Sequence, residues 1–160
     1  MARLYTRTSE DVMASEIGGP LRSAVEKHAR EHQLGDILGT ARYCCSTTSV
    51  RLKRPGLLAR LTGTANQDTE LRTVVMVTRH HLVVAVAGER LGTLVSSARL
   101  DGLSVTAERS LAIVDFGATV TGVWSGTSVG ASRFLGLSDD LAGHTFVDRL
   151  SGAVAEAKTG

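Results

Sequence analysis

No apolar run in this 160-residue sequence approaches the length of a membrane span. The longest, Leu82 to Ala87, is far short of the ~20 residues a spanning helix needs. The opening residues, Met1 to Asp11, have neither an apolar core nor a cleavage signature, which excludes a secretory signal there and predicts a cytoplasmic location. Cysteine is scarce. The two present, Cys44 and Cys45, are adjacent, and neighbouring strand residues point to opposite faces, so a bond between them would be strained. One buried and one exposed thiol is the expectation. No second ligand pair stands at metal spacing, and no metal or cofactor is expected. Aromatic residues number only six, and Phe116, Trp124, Phe134 and Phe146 fall at core-like positions. A stacking platform interleaved with basic residues is therefore missing, which argues against nucleic acid as a partner. Lysine is nearly missing too: fifteen arginines stand against Lys27, Lys53 and Lys158. Together with abundant Ala, Gly and Val, that bias points to a GC-rich bacterial genome and is silent on function. Phosphate-cradling loops of the Walker or dinucleotide kind are also lacking.

What is present is an ordinary globular composition, 42% hydrophobic and 21% charged, in a chain of one-domain length. Such a chain buries enough surface to fold without disulfides or metal. Residues 1–36 read as a helical extension. Thr8 to Asp11 suits a helix start, with Val12, Met13 and Ile17 on one face. Gly18-Gly19-Pro20 then breaks the segment. Leu21, Ala24, Val25 and Ala29 form the stripe of a second helix, which Gly35 stops.

From Tyr43 the period becomes two, and residues 37–160 read as a β-rich domain of about seven antiparallel strands. Leu71 to Val77 alternates, and Leu82 to Ala87 reads as a strand buried on both faces. Gly88 to Gly92 is a turn. Leu94, Ala98 and Leu100 make the next inward set, and Asp101-Gly102 signals a hairpin. Further strands are expected over 103–107, 111–116, 119–124 and 131–135. The polar stretch 63–69 is read as a loop. Ser138 is placed as the cap of a closing helix with its apolar stripe at Phe146, Leu150, Ala153, Val154 and Ala157.

That element order, with Val77-Thr78-Arg79-His80-His81-Leu82 at a strand–turn–strand junction, resembles bacterial proteins of the pleckstrin-homology-like superfamily, which includes the GRAM domains. Such domains often show a strand, a Thr-containing turn with Asp or Asn, a basic residue, and a Leu opening the next strand. Here Arg79 takes the Asp/Asn place and His81 the basic place. The resemblance spans about Tyr43 to Lys158. It implies an α+β, mainly β fold: a bent seven-stranded antiparallel barrel capped by the C-terminal helix. It also implies a non-enzymatic binding or scaffolding role through protein contacts or an anionic membrane surface, with self-association as a further option.

Three motifs spell catalysis. His28-Ala-Arg-Glu31-His32 matches the H-x-x-E-H zinc motif, with both His on one helix face. A catalytic zinc needs a third ligand and an open cleft, and the sequence offers neither. Gly126-Thr-Ser128-Val-Gly130 matches the nucleophile elbow, with Asp139 or Asp140 and His144 following. That elbow must join a strand to a helix, whereas here it joins two strands. Asp115-Phe116-Gly117 spells a kinase triplet without the rest of its set. A small hydrolase, through His28, Glu31 and His32 or through Ser128, is the rival reading, and no catalytic residue is expected.

The functional lead is charge. No acidic residue falls between Asp36 and Asp68, while Arg42, Arg51, Lys53, Arg54 and Arg60 do. The resemblance places anionic headgroups at the loop between the barrel's first two strands. Lys53 and, on the next strand, Arg72 match its basic positions, and Glu70 departs from them. These six basic residues form the candidate binding face.

Overall fold

Leu82, Val83 and Ala85 are fully buried, and Val84 nearly so, along one short strand. A strand buried on both sides needs a layer on each, and those layers organise this fold. The computed structural model describes residues 5–52, 68–110 and 115–160. Five antiparallel strands form the first sheet in chain order: β1 (Tyr5–Asp11), β2 (Tyr43–Arg51), β3 (Glu70–Val77), β4 (His81–Gly88) and β5 (Gly92–Arg99). Three more form the second: β6 (Ser104–Ser110), β7 (Asp115–Val123) and β8 (Gly130–Leu137). Helix α1 (Gly19–Glu31) and the single turn α2 (Ile37–Thr40) lie between β1 and β2, and α3 (Leu141–Thr159) follows β8. The fold is thus α+β, mainly β, with two antiparallel sheets and a C-terminal helix.

The period-two alternation sorts the first sheet's residues into two cores. Cys45, Val75, Val77, Leu82, Val84 and Ala98 face inward and pack with Phe116, Ala118, Val120, Leu135 and Leu137 of the second sheet. The expected stripe of α3 closes this core: Phe146, Leu150, Ala153 and Val154 are buried in it, with Ala157 at its margin. Cys44, Val74, Met76, Val83 and Ala85 face the other way and are covered by Leu21, Val25 and Ala29 of α1 and Ile37 of α2. Among the described residues, no helix is long and apolar enough to cross a membrane.

The sheets meet at two seams rather than along continuous ladders, so no closed barrel forms. At one seam Ser9 N–H donates to Ser138 Oγ (3.1 Å) and Ser138 N–H donates to Ser9 Oγ (3.0 Å). Beside them Arg7 of β1 forms an ion pair with Asp115 of β7. Gly136 of β8 leaves the space that the Arg7 guanidinium fills; a Cβ there would collide with it. At the other seam Ala98 and Trp124 form an isolated bridge, and Ser125 N–H donates to Ser97 O (2.8 Å).

Several expectations are corrected. Residues 5–11 are a strand, not the start of a helix, and only a 3₁₀ turn follows at Ala14–Glu16. Alternating Tyr5, Arg7 and Ser9 find partners on β2 (Arg7 Nε to Ser49 Oγ, 3.1 Å), and strand pairing outweighs the local capping signal. The described residues therefore hold eight strands. Asp101-Gly102 does not make a hairpin, because β5 and β6 belong to different sheets; a 3₁₀ turn over Leu100–Gly102 carries the chain between them. Both cysteines are buried, since α1 covers the face expected to be open. Leu94 is 57% exposed and Phe134 42% exposed, so neither is core. Asp140, not Ser138, caps α3, accepting from Gly143 N–H (3.1 Å), because Ser138 is committed to the seam. Most of the strand expected over 111–116 and of the loop over 63–69 lies outside the described residues. Asp68, at that loop's end, is buried and accepts from Arg90 and Leu91 N–H (2.7 and 3.0 Å), fixing the β4–β5 turn.

Candidate functional site

The candidate basic face is spread out. Arg42 stands just before β2, where its guanidinium pairs with Glu156 of α3 (3.2 Å) and lies over the Tyr43 ring. Arg51 ends β2, donates to the Tyr5 hydroxyl (3.0 Å) and lies over that ring. Nine strand steps put these two arginines ~30 Å apart. Arg72 is on β3, opposite Thr48, and its Nε donates to Ser46 Oγ (3.1 Å) on the sheet's outer face. Strand alternation turns Arg51 to the inner face. Lys53, Arg54 and Arg60 lie outside the described residues.

The enzyme-like motifs are occupied otherwise. His28 is buried, and its Nε2 is hydrogen-bonded to Ser97 Oγ of β5 (2.9 Å). Burial first, then the neighbouring His32, holds its pKa below the usual imidazole value. The His32 ring is tilted against it, with centroids 4.2 Å apart, and Glu31 pairs with Lys27 (3.8 Å). Among the described residues no three His, Cys, Asp or Glu side chains are grouped to hold a metal.

Ser128 is exposed in the turn between β7 and β8, where Gly126 has φ +82°. His144 is in α3 and stacks on Phe116 (centroids 4.0 Å), with Nε2 against Asp139 Oδ1 (2.7 Å). Val123 pairs with Gly130 at the Ser128 end of the hairpin, and Phe116 pairs with Leu137 at the His144 end. Seven strand steps, ~23 Å, separate those ends, so Ser128 and His144 do not meet. Phe116 of the kinase triplet is a core side chain, and Asp115 is the partner of Arg7.

A different group of basic residues does converge. The β3–β4 turn, the 3₁₀ turn after β5 and the last turns of α3 enclose a cleft of about 300 Å³. Arg42, Arg79, His80 and Arg99 line it, with Asp101, Glu156, Ala153 and Ala157. Thr78 builds the turn that presents Arg79 and His80: its Oγ1 accepts from His80 and His81 N–H (3.3 and 3.0 Å). Arg99 is held by two bonds to Asp101, from Nε (3.2 Å) and Nη2 (3.0 Å). His81 has its pKa lowered first by burial and then by Arg99 and His80. The Thr-containing turn was singled out in the sequence. Arg99 was not, because only the tertiary fold brings the end of β5 beside that turn.

A second cleft, of about 420 Å³, lies between β1 and the start of α3, with Cys44, Cys45, Leu141 and Phe146 in its lining. Burial pushes the Cys44 thiol up to about 11 and raises that of Cys45, so both are protonated and unreactive at neutral pH. The chain matches no protein-family model, no curated protein and no solved structure.

Proposed function

We propose that this protein is a non-enzymatic binding or scaffolding module of the pleckstrin-homology-like kind, acting through protein contacts or weak contacts with an anionic surface. The observation that carries the reading is the arrangement of the main core. Two antiparallel sheets are stitched at their edges and filled at one end by the apolar face of α3. That is the order of parts the resemblance implies, with β1, α1 and α2 added outside it. The hydrolase alternative loses support from the spacing of its own residues, since Ser128 and His144 stand at opposite ends of one hairpin.

Sedimentation with lipid vesicles tests the surface-contact reading. At low salt, pelleting with phosphatidylcholine vesicles should rise when phosphatidylglycerol is included, and should fall as salt screens the attraction. Equal pelleting with and without the anionic lipid would remove the membrane reading. Ester hydrolysis by the wild type that is lost in Ser128→Ala would restore the enzyme reading.

A further inference from the structure

The cleft at the end of α3 brings together basic side chains that lie far apart in the sequence. Three guanidinium groups and the His80 imidazole line it, together with the side-chain carboxylates of Asp101 and Glu156 and with Gly160 at the end of α3. The two carboxylates do different work from a ligand. Asp101 grips Arg99 through Nε and Nη2, leaving Nη1 free, and Glu156 accepts from Arg42 Nη1, leaving Nε and Nη2. Each acid therefore fixes an arginine while leaving donors unspent, which lowers the entropy lost when those donors meet a ligand. Arg79 is exposed and forms no hydrogen bond or ion pair with the described residues. The opening is large enough for a tetrahedral oxyanion with a small substituent.

We propose that this cleft binds a phosphate monoester or inorganic phosphate, with Arg79, Arg42 and Arg99 as its donors. Guanidinium groups match the oxygens of phosphate in charge and geometry. Beside the cleft, His81 has its pKa lowered first by burial and then by the charges of Arg99 and His80. Glu156 and the carbonyls at the end of α3 oppose an anion, so the expected binding is weak. The inference does not rest on the proposed membrane contact, because the cleft lies at the opposite end of β2 from Arg51.

The test is a titration of the isotope-labelled full chain with inorganic phosphate, against chloride at matched ionic strength, followed by amide resonances. Saturable shifts at Arg79, His80 and Asp101 with phosphate alone are expected. Arg79→Ala should weaken them about tenfold, the loss of one charge-assisted bond, and Arg99→Ala should weaken them independently. The dispersion of the same spectra shows that each variant is folded. A parallel arm uses phosphatidylcholine vesicles containing phosphatidic acid. Pelleting that Arg79→Ala abolishes assigns the phosphate to a lipid headgroup, and unchanged pelleting assigns it to a soluble molecule. No saturable phosphate shift in the wild type, vesicle binding without one, or an affinity left unchanged by Arg79→Ala would each overturn the proposal.

Discussion

Replacing Ser138 by alanine tests whether side chains, rather than strand ladders, join the two sheets. The Ser138 hydroxyl accepts from Ser9 N–H and donates to Asp140 Oδ1 (2.7 Å), so its single proton and one lone pair are both assigned. Both serines are 5% exposed. The alanine variant leaves a buried Ser9 N–H without its acceptor, and a buried unsatisfied donor costs about 1–3 kcal/mol. For a domain of this size that is a fall in Tm of roughly 2–12 °C. Ser9→Ala removes the reciprocal acceptor and the contact with Thr47 Oγ1 (2.8 Å), and should cost a similar amount. Once one bond is gone, water reaches the other. The double variant should therefore cost less than the sum of the singles, with a coupling of about 0.5–1 kcal/mol. Urea denaturation of the four proteins measures the cycle, with Ser151→Ala on the exposed side of α3 as the control. Losses below about 0.5 kcal/mol for both singles, equal to a typical surface change, would refute the stitched seam.

Other outcomes follow from the same geometry. Leu150 is fully buried where α3 meets both sheets, so Leu150→Ala should cost about 2–5 kcal/mol by urea denaturation. His28 has a folded pKa below its ordinary 6.5, so the unfolded chain binds the proton more readily; stability should be level above about pH 6.5 and fall as pH drops below it. Comparing urea midpoints at about pH 7.5 and pH 5 should show a larger acid loss in the wild type than in His28→Gln, and equal losses would deny the buried neutral imidazole. Cys44, pushed up to about 11, should react with iodoacetamide at about pH 8 roughly a hundredfold slower in the folded protein than in urea. Fast labelling of the folded chain would contradict its burial.

The elements that were legible in the sequence are those whose partners are implied by their own pattern. The unbroken run from Leu82 announces a strand covered on both faces, and the stripe from Phe146 to Ala157 announces a helix lying on a core. The segment over 5–11 was not legible. Tyr5, Arg7 and Ser9 alternate, but two of them are polar, and only pairing with β2 and contacts with Asp115 and Ser138 make that face interior. Asp101-Gly102 carries a hairpin's residues yet serves a crossing between sheets, because the choice depends on whether the next strand finds β5 or β7. The site shows the same limit. The stretch between Asp36 and Asp68 is basic along the chain, but its described members point to different places. Arg42 instead joins Arg79 and Arg99, which lie far from it in sequence and beside it in space.

The anionic-surface arm of the proposed binding function is tested most directly by charge reversal in the basic stretch. Vesicle sedimentation at low salt should compare the wild type with a Lys53→Glu, Arg54→Glu double variant on membranes rich in phosphatidylglycerol. At about 1 kcal/mol per basic residue, removing two should lower partitioning roughly thirtyfold, and reversing their sign should lower it further. Partitioning of the wild type that the double variant matches would contradict the account.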